Sequence, residues 1–353
     1  MSQKKPPKRA TIAAVAALAG VSPSAVSHVF NGRPNVSTAT AARIREAADK
    51  LGWRPNYASR KVSGSGGSSL GLVIARTRDT FGRDPFLMRL LAGLTEPLSD
   101  IAWSLSLTLV EDREHEEQVY VQWWGEQRVD AFLLVDVRTD DPRLELLERL
   151  GAPAVLLGAP HTDAIPAVTV ADQDAFDTAL GHLAGHGHRH VARVSEAPGL
   201  EHSRARDDRF ADAARAHEVT ASYAVWPPDA DDPVSVLLES LEPDVTALIV
   251  DSESIGTEIV AHAPEVGVRV PQQLSVLAWE DSWISTLVRP RLTALDAPVE
   301  ESARTAVGML ARLVRGEKVT SQLVSGRRLI VRESTGPAPA TPRSPAPGIE
   351  EGP

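Results

Sequence analysis

The sequence predicts a small all-α head followed by a larger α/β body with two doubly wound parallel sheets. Near the N-terminus, Ala16, Gly20 and Val26 have the spacing of two helices joined by a tight turn. From Leu70 onwards, short apolar runs alternate with amphipathic stretches, a pattern typical of parallel strands covered by helices on both faces. With 353 residues, the chain is long enough for two or three folding units.

The first two predicted helices have the pattern of a helix-turn-helix. Ala16 is small where two helices approach closely, Gly20 can adopt the positive φ that ends a helix, and Val26 returns to the small core. Each residue alone is explained by helical packing. Together, in a strongly basic segment, they favour DNA binding, with the second helix in the major groove.

Capping residues set the bounds of these helices. Thr11 caps a helix that runs to about Ala19, and Ser22 caps a second helix from Pro23 to about Asn31. The exposed face of this second helix consists of Pro23, Ser24, Ser27 and His28.

A third head helix begins after Ser37, continues through Leu51 and ends at Gly52. Its apolar spacing predicts one face on the core of the head. The predicted core positions are Ala41, Ile44, Ala47, Ala48 and Leu51.

Charge separates a basic head from an acidic body. Residues 1–63 hold eleven of the 37 Lys and Arg but two of the 47 acids, which leaves 26 basic and 45 acidic residues elsewhere. The head therefore attracts phosphate, and the body disfavours nonspecific adhesion to DNA. The chain has no cysteine, which excludes disulfides and fits the cytoplasm. No apolar run has the length of a membrane-spanning helix, and nothing resembles a signal peptide.

Composition divides the chain into five segments. We predict a disordered basic arm at 1–8, a helix-turn-helix domain at 9–55, a linker segment at 56–69, a two-subdomain body at 70–335 and a disordered Pro/Ala-rich tail at 336–353. The predicted body strands are 70–75, 104–110, 131–137, 153–158, 191–195, 246–250 and 274–281. The predicted body helices are 86–100, 114–126, 142–150, 173–185, 206–217 and 233–241. A cleft at the carboxyl ends of the strands is the expected ligand site.

Four sequence motifs occur in order in the head: TIAAVAALAGVS, AVSHVFNG, NVS and LGWRPN. On these motifs the chain resembles the LacI/GalR family of transcriptional regulators. The body is similar more loosely, through motifs such as GHGHRHVA, TALIVDSES and RPRLTAL. The resemblance covers residues 9 to 335 and implies a hinge helix in the linker segment and a periplasmic-binding-protein-like body. It also implies a dimer on a pseudo-palindromic operator, most often a repressor, controlled by a small-molecule effector in the cleft.

The resemblance assigns base contacts to Pro23, Ser24 and His28. It assigns mostly phosphate contacts to Ser22, Ser27, Asn31 and Ser37. His28 can donate to guanine N7 or O6, whereas Pro23 offers only an apolar contact, so we expect specificity to depend on Ser24 and His28. The full predicted DNA-binding set is Thr11, Ser22, Pro23, Ser24, Ser27, His28, Asn31, Ser37, Trp53, Asn56, Arg60, Lys61 and Val62.

Residues 56–62 match the hinge helix, whose leucine wedges into the minor groove in the family. Val62 stands at that position and is shorter, stiffer and a poorer helix former, so we expect a weaker kink. Arg60 and Lys61 suit phosphates. The alternative is that Val62 is an ordinary linker residue.

The predicted effector-binding set is Phe86, Arg206, Trp226, Ser252, Glu253, Trp279 and Glu280. Arg206 matches the ligand-clamping arginine of the family, and its fork suits hydroxyls or a carboxylate. For the two tryptophans, the sequence leaves two alternatives open: stacking on a sugar ring and packing in the core. For Arg206 and Glu280, the alternatives are ligand binding and a structural ion pair. Departures from the family pattern, such as Ser252–Glu253 for Asn-Asp, disfavour an ordinary hexose. A sugar or related metabolite is the first hypothesis.

Other function classes have weaker support. A metal site is one interpretation of four histidines, but glycines interrupt their helix and favour a helix-to-strand turn: His182, His186, His188 and His190. The sequence has no phosphate loop, zinc-protease signature or G-x-S-x-G elbow, so we predict no enzyme and no cofactor. A solute-binding transport protein would carry a secretion signal and would lack a basic DNA-binding head. Both expectations disfavour this alternative. We expect a cytoplasmic, nucleoid-associated protein.

Overall fold

The computed structural model describes residues 11–30, 36–51, 53, 68–82, 84–138, 140–158, 165–196 and 201–341. The chain forms two compact units. The head unit is Met1–Ser69 with Ile101–Ser104, and the body unit is Leu70–Asp100 with Leu105–Pro353.

The described residues of the head form three helices: α1 (Ile12–Ala19), α2 (Pro23–Phe30) and α3 (Thr38–Lys50). Gly20 ends α1 with φ 66°, and its N–H donates to carbonyls of the last turn, as its sequence position predicts. Ala16 and Val26 are 3% and 0% exposed, so both lie in the core of the head. Leu51 is a correction. It is the residue after α3 and is 37% exposed, because the helix ends before its side chain reaches the core.

No single helix in the described ranges is long and apolar enough to cross a membrane. The pair α1 and α2, which is bent by 102°, meets the same test by length and composition only.

Two six-stranded sheets form the body, which confirms the predicted fold class. The first has the order β11-β5-β4-β3-β1-β2, and its strands are β1 (Ser69–Ala75), β2 (Ser104–Val110), β3 (Ala131–Leu134), β4 (Ala154–Leu157), β5 (Ala167–Val170) and β11 (Gln322–Val324). The second has the order β12-β10-β9-β8-β6-β7, and its strands are β6 (His190–Ser195), β7 (Thr220–Val225), β8 (Ala247–Val250), β9 (Ser275–Ala278), β10 (Thr293–Asp296) and β12 (Arg328–Ile330). β12 is antiparallel to β10, and the other pairs with a described register are parallel.

Helices cover both faces of each sheet. They are α4 (Arg78–Gly82), α5 (Pro85–Asp100), α6 (Arg113–Gly125), α7 (Pro142–Leu150), α8 (Ala175–Gly185), α9 (Glu201–Ala216), α10 (Pro233–Ser240), α11 (Glu253–His262) and α12 (Val299–Val314). On the first sheet, α6 and α7 bury one face, and α12 packs with α5 on the strands. On the second sheet, α10 and α11 bury one face, and α8 and α9 bury the other.

The chain passes between the two subdomains three times: between β5 and α8, between β10 and α12, and between β11 and β12. Arg89 in α5 donates to the Asp281 carbonyl at 2.7 Å and to Asp296 Oδ1 at 3.0 Å. A first-subdomain helix is thus bonded to the second subdomain next to one of these crossings.

The end of the body differs from the prediction. We place the start of the disordered tail at residue 336, but Gly336 N donates to Ser275 Oγ at 3.1 Å and Ala338 N donates to the His186 carbonyl at 2.9 Å. Small residues dock here through their backbones, which composition does not reveal. The body therefore extends at least to Ala338.

A buried ion network joins α6 to α7. Glu116 is fully buried and accepts hydrogen bonds from Arg143 Nη1 at 2.6 Å and Arg138 Nη1 at 3.2 Å. Arg143 also donates to Asp141 Oδ2 at 2.6 Å. Since each charge is compensated by its neighbour, removal of one partner leaves a buried carboxylate uncompensated in a low-dielectric environment.

Arg143→Met should lower the free energy of unfolding by about 3–5 kcal/mol, because Glu116 loses its closest cation. The matched control is Arg149→Met in the same helix, where an exposed Arg–Glu pair at 3.8 Å contributes less than about 1 kcal/mol. Denaturant unfolding of both variants measures the difference. Equal losses would contradict a stabilising role for the buried network.

Candidate functional site

The N-terminal end of α2 presents polar groups to solvent. Ser22, Pro23 and Ser24 are exposed, while Ser27 and His28 on the next turn are half-buried. Ser22 Oγ accepts from Ala25 N at 3.2 Å and lies 2.9 Å from Ser24 Oγ. The cap therefore holds the Ser24 hydroxyl beside it at the end of the helix that a helix-turn-helix inserts into DNA.

Two further predicted DNA contacts are helix caps. Thr11 Oγ1 accepts from Ala14 N at 3.3 Å, and Ser37 Oγ accepts from Thr40 N at 3.2 Å. Both caps are exposed at the N-terminal ends of α1 and α3. Helix N-termini favour anions, so these positions suit DNA phosphates.

Trp53 is a correction within the predicted DNA-binding set. Its side chain is 9% exposed and meets Phe30 edge-on, with ring centroids 5.2 Å apart. It belongs to the apolar core of the head, so its role is to hold α2 and α3 together. The remaining predictions, Asn31, Asn56, Arg60, Lys61 and Val62, lie outside the described residues.

In the body, charged side chains follow the carboxyl ends of strands in both sheets. They are Arg76 after β1, Asp136 after β3, Glu196 after β6, Asp251 after β8 and Glu280 after β9. This is the edge at which open α/β sheets bind ligands.

Arg76 organises the first subdomain's part of this edge. Its Nη2 lies 2.8 Å from Asp136 Oδ2, and its Nη1 donates to Asp84 Oδ2. Asp84 precedes α5, and its other oxygen accepts from Leu87 N at 3.2 Å. Burial raises the pKa of Asp84 despite the nearby guanidinium. Phe86, two residues after Asp84 in the first turn of α5, is half-buried.

Asp251 organises the second subdomain's part. Its Oδ1 accepts from Arg193 Nη2 at 2.8 Å and from Arg206 Nη1 at 3.1 Å. Arg193 also donates to Asp207 at 2.6 Å, which ties α9 to the sheet. Arg206 is thus ion-paired at the carboxyl end of β8, and 15% of its side chain is exposed.

Trp279 lies beneath the arginines. Its ring stacks on Phe176 at 4.1 Å, and the guanidinium groups of Arg206 and Arg327 are 5.2 and 5.0 Å from its centroid. The side chain is 1% exposed, which favours core packing, one of the two alternatives that the sequence leaves open for this tryptophan. Trp279 instead positions two cations through its π face.

Glu280 and Glu253 differ in their surroundings. Burial raises the pKa of Glu280 to about 7, partly opposed by Arg327 and Arg206, and no hydrogen-bond partner of its carboxylate occurs in the described ranges. Glu253 is 1% exposed and accepts from Ser285 Oγ at 3.1 Å, and burial also raises its pKa. Ser252 caps α11 through Ile255 N at 3.4 Å. Glu280 is therefore the less compensated of the two carboxylates, and Glu253 is held within the fold.

For Trp226, of the predicted effector set, the structure favours the core-packing alternative. It is 5% exposed and packs with residues of β8, α10 and α11 in the apolar core of the second subdomain. Aromatic character alone does not separate a ligand contact from a core residue.

Sequence reasoning missed Arg76, Asp84, Asp136, Glu196 and Asp251 as site residues. Four of them share one signal, because each is the first or second residue beyond a short apolar strand. The ends of predicted parallel strands should therefore be searched for polar side chains before family positions are compared.

The four histidines make contacts within the fold. His182 Nε2 lies 2.9 Å from Thr335 Oγ1, and His188 lies 2.8 Å from Thr246 Oγ1 and 3.0 Å from Ser275 Oγ. Burial lowers the pKa of His188 to about 4. Within the part of the chain that is described, no group of three metal-binding side chains occurs.

The chain matches two family models. One describes bacterial regulatory proteins of the lacI family and covers residues 11–56. The other describes a periplasmic binding protein-like domain and covers residues 180–335. The two matches correspond to the head and to the part of the body that carries the second sheet.

Known proteins are similar over most of the chain. The HTH-type transcriptional regulator CelR of Thermobifida fusca is 29% identical over 93% of this chain and 98% of its own. A solved LacI family transcriptional regulator from Bifidobacterium animalis subsp. lactis is 31% identical, with a TM-score of 0.68 over 76% of this chain and 98% of its own.

Two further solved structures share the fold. A transcriptional regulator CelR–cellobiose complex is 25% identical over 92% of this chain and all of its own, with a TM-score of 0.68. The lac repressor dimer bound to operator and the anti-inducer ONPF is 20% identical over 93% of this chain and all of its own, with a TM-score of 0.80. These similar proteins are named as transcription regulators.

Glu280→Gln should make the free energy of unfolding less sensitive to pH. Because its folded pKa of about 7 lies above the ordinary value of 4.5, Glu280 stabilises the fold fully below pH 4.5 and loses that stabilisation as pH rises through 7. The variant should equal the wild type below pH 4.5 and exceed it by about 1–3 kcal/mol at pH 8.

Denaturant unfolding across this pH range measures the effect. Glu148→Gln, an exposed change in α7, is the control and should show no growing difference. A constant difference between Glu280→Gln and wild type across the range would contradict the raised pKa of Glu280.

Proposed function

Because this chain belongs to the LacI family of bacterial transcriptional regulators, we propose that it is a homodimeric repressor controlled by a sugar or related metabolite. Binding of DNA by the helix-turn-helix head, and binding of an effector by the body, are the functions of this family architecture. The observation that carries the proposal is the presence of both in one chain: an exposed recognition-helix terminus and charged side chains at the carboxyl ends of the body strands.

A dimer on a pseudo-palindromic operator is the assembly we propose. Two heads related by a twofold axis match two half-sites related by the same symmetry. The lac repressor, whose fold is similar, is a dimer on its operator. The edge strand β7 exposes Tyr223 and Val225, at 52% and 56%, which supports burial of this edge by a second copy. Since operator DNA is its partner, the proposed location is the cytoplasm, at the nucleoid.

The effector site we propose is the edge formed by Arg76, Asp136, Arg206, Asp251 and Glu280. Charged groups that accept and donate in a partly buried cleft suit a polyhydroxylated ligand. The similar regulator CelR has been solved with cellobiose, which supports a sugar or sugar derivative.

Effector binding would change operator affinity by a population shift. The two subdomains contribute to one site, so a ligand that contacts both stabilises one relative orientation of them. The coupling is reciprocal, because operator binding must change effector affinity by the same factor. Whether the ligand releases or promotes DNA binding depends on which orientation it favours.

Selection of duplexes from a random pool by the full-length protein tests the DNA-binding half. The expected result is a pseudo-palindrome, and His28→Ala should lose preference at one base pair per half-site, at a cost of about 1–3 kcal/mol. Glu46→Gln, an exposed change in α3 that removes only a surface pair with Lys50, serves as the control and should select the same motif. An unchanged base preference in His28→Ala would refute the role of His28. Absence of an enriched motif with and without metabolite extract would refute the repressor proposal.

Arg206→Ala should abolish the response to effector while operator binding without effector persists. Its guanidinium bonds Asp251 at the cleft, whereas Arg209, one turn along α9, is exposed and has no described contact. Arg209→Ala is therefore the matched control and should respond as the wild type does. Operator affinity with and without metabolite extract, measured by fluorescence anisotropy, gives both results. A normal response in Arg206→Ala would place the effector site elsewhere.

A further inference from the structure

Two of the three segments that join the subdomains run in contact with each other. Gly326 and Arg327 lie in the β11–β12 crossing, and β11 pairs with β5, after which the β5–α8 crossing begins. The ladder continues beyond β5 with a bond from Ala171 N to the Val324 carbonyl at 3.2 Å. A Cβ at position 326 would lie 2.8 Å from the Ala171 carbonyl oxygen, so glycine permits this close approach.

Arg327 bonds its crossing to two other parts of the body. Its Nε donates to Asp172 Oδ2 on the β5–α8 crossing at 3.1 Å. Its Nη1 donates to the carbonyl of Trp279, the residue after β9, at 2.7 Å, and the guanidinium lies 5.0 Å from the centroid of the Trp279 ring. The Arg327 side chain is 7% exposed, so these bonds are shielded from water. One buried arginine therefore connects two crossings with the carboxyl edge of the second sheet.

The β10–α12 crossing is tied to the same segment. Arg328, the first residue of β12, stands opposite Asp296 in the β10–β12 ladder, and its Nη2 donates to Asp296 Oδ2 at 3.4 Å. The other oxygen of Asp296 accepts from Arg89 of the first subdomain at 3.0 Å. Because Arg328 is 75% exposed, its bond contributes less than the buried pair of Arg327 and Asp172.

The buried pair is not saturated. Asp172 Oδ1 is buried and has no hydrogen-bond partner among the residues that the structure describes. An arginine and a carboxylate can form two parallel bonds, whereas Arg327 and Asp172 form one in this conformation. A relative movement of the two crossings can therefore strengthen or break the pair. Its energy depends on the orientation of the two subdomains.

We propose that Arg327 is a positioning residue for the allosteric response: its bond to Asp172 holds the subdomains in one orientation, and the effector changes that orientation against this bond. The proposal rests on the proposed function, because the orientation matters only if it sets the affinity for operator DNA. The role differs from that of Arg206, which we place in the effector site, since Arg327 acts on the crossings.

Single-molecule energy transfer between dyes on the two subdomains measures their orientation. The chain has no cysteine, so Glu148→Cys in α7 and Glu239→Cys in α10 give each subdomain one exposed labelling position. The labelled chain is mixed with an excess of unlabelled full-length chain, so that a dimer carries one labelled subunit. The background chain with the native pair should give one narrow distribution of transfer efficiency.

The double variant Asp172→Asn with Arg327→Gln should give a broader or shifted distribution, because it removes both charges and leaves neither one buried alone. The matched control is Arg304→Gln, which removes an arginine–glutamate bond of 2.6 Å within the first subdomain and should leave the distribution unchanged. Melting temperatures are recorded for both variants. An unchanged distribution in the double variant, with or without a lower Tm, would show a purely structural role and overturn the inference.

Operator affinity without effector is the second readout. On the duplex obtained by selection, the double variant should differ from the wild type by at least about threefold, as a shift of population between orientations requires. Arg304→Gln should bind as the wild type does. A changed distribution with unchanged operator affinity would also overturn the role of Arg327 in the response. Failure of the selection would refute the repressor proposal instead, and energy transfer would still decide whether the pair holds the crossings.

Discussion

The sharing of one carboxylate oxygen by two arginines holds the second subdomain's half of the cleft together. Asp251 Oδ1 accepts from Arg193 in β6 and from Arg206 in α9, so a strand, a helix and the end of β8 meet at one atom. The Asp251 carboxylate compensates both guanidinium groups in a partly buried place, and Asp207 adds a second partner for Arg193. Arg206, held in this way, lies 5.2 Å from the centroid of the Trp279 ring, which stacks on Phe176.

The same arrangement explains why few groups remain open to a ligand. Arg76 directs its donors to Asp84 and Asp136, as Arg193 and Arg206 do to Asp251. Specificity in such a site comes less from the number of charges than from which of them lack a partner. The repeated use of arginine also gives planar, directional contacts that lysine would not supply.

Much of the fold could be predicted because its signals are local. Gly20 ends α1 where only a residue tolerant of positive φ fits easily, and the alternation of strand and helix from Leu70 indicates parallel sheets. The final strands, β11 and β12, could not be predicted, because each has only three residues and no periodicity of its own. Trp53 and Trp226 show the limit for the sites: large aromatic side chains suit cores and ligands equally, and only tertiary packing separates the two.

The three crossings between the subdomains have a mechanical consequence. Two bodies joined by a single strand can swing and twist in many directions, whereas three side-by-side connections permit mainly one coordinated bend. Arg89 adds a fourth tie next to the crossing after β10. The covalent path of the chain therefore already restricts how one subdomain can move relative to the other. A small molecule in the cleft needs little additional contact energy to favour one of the remaining orientations.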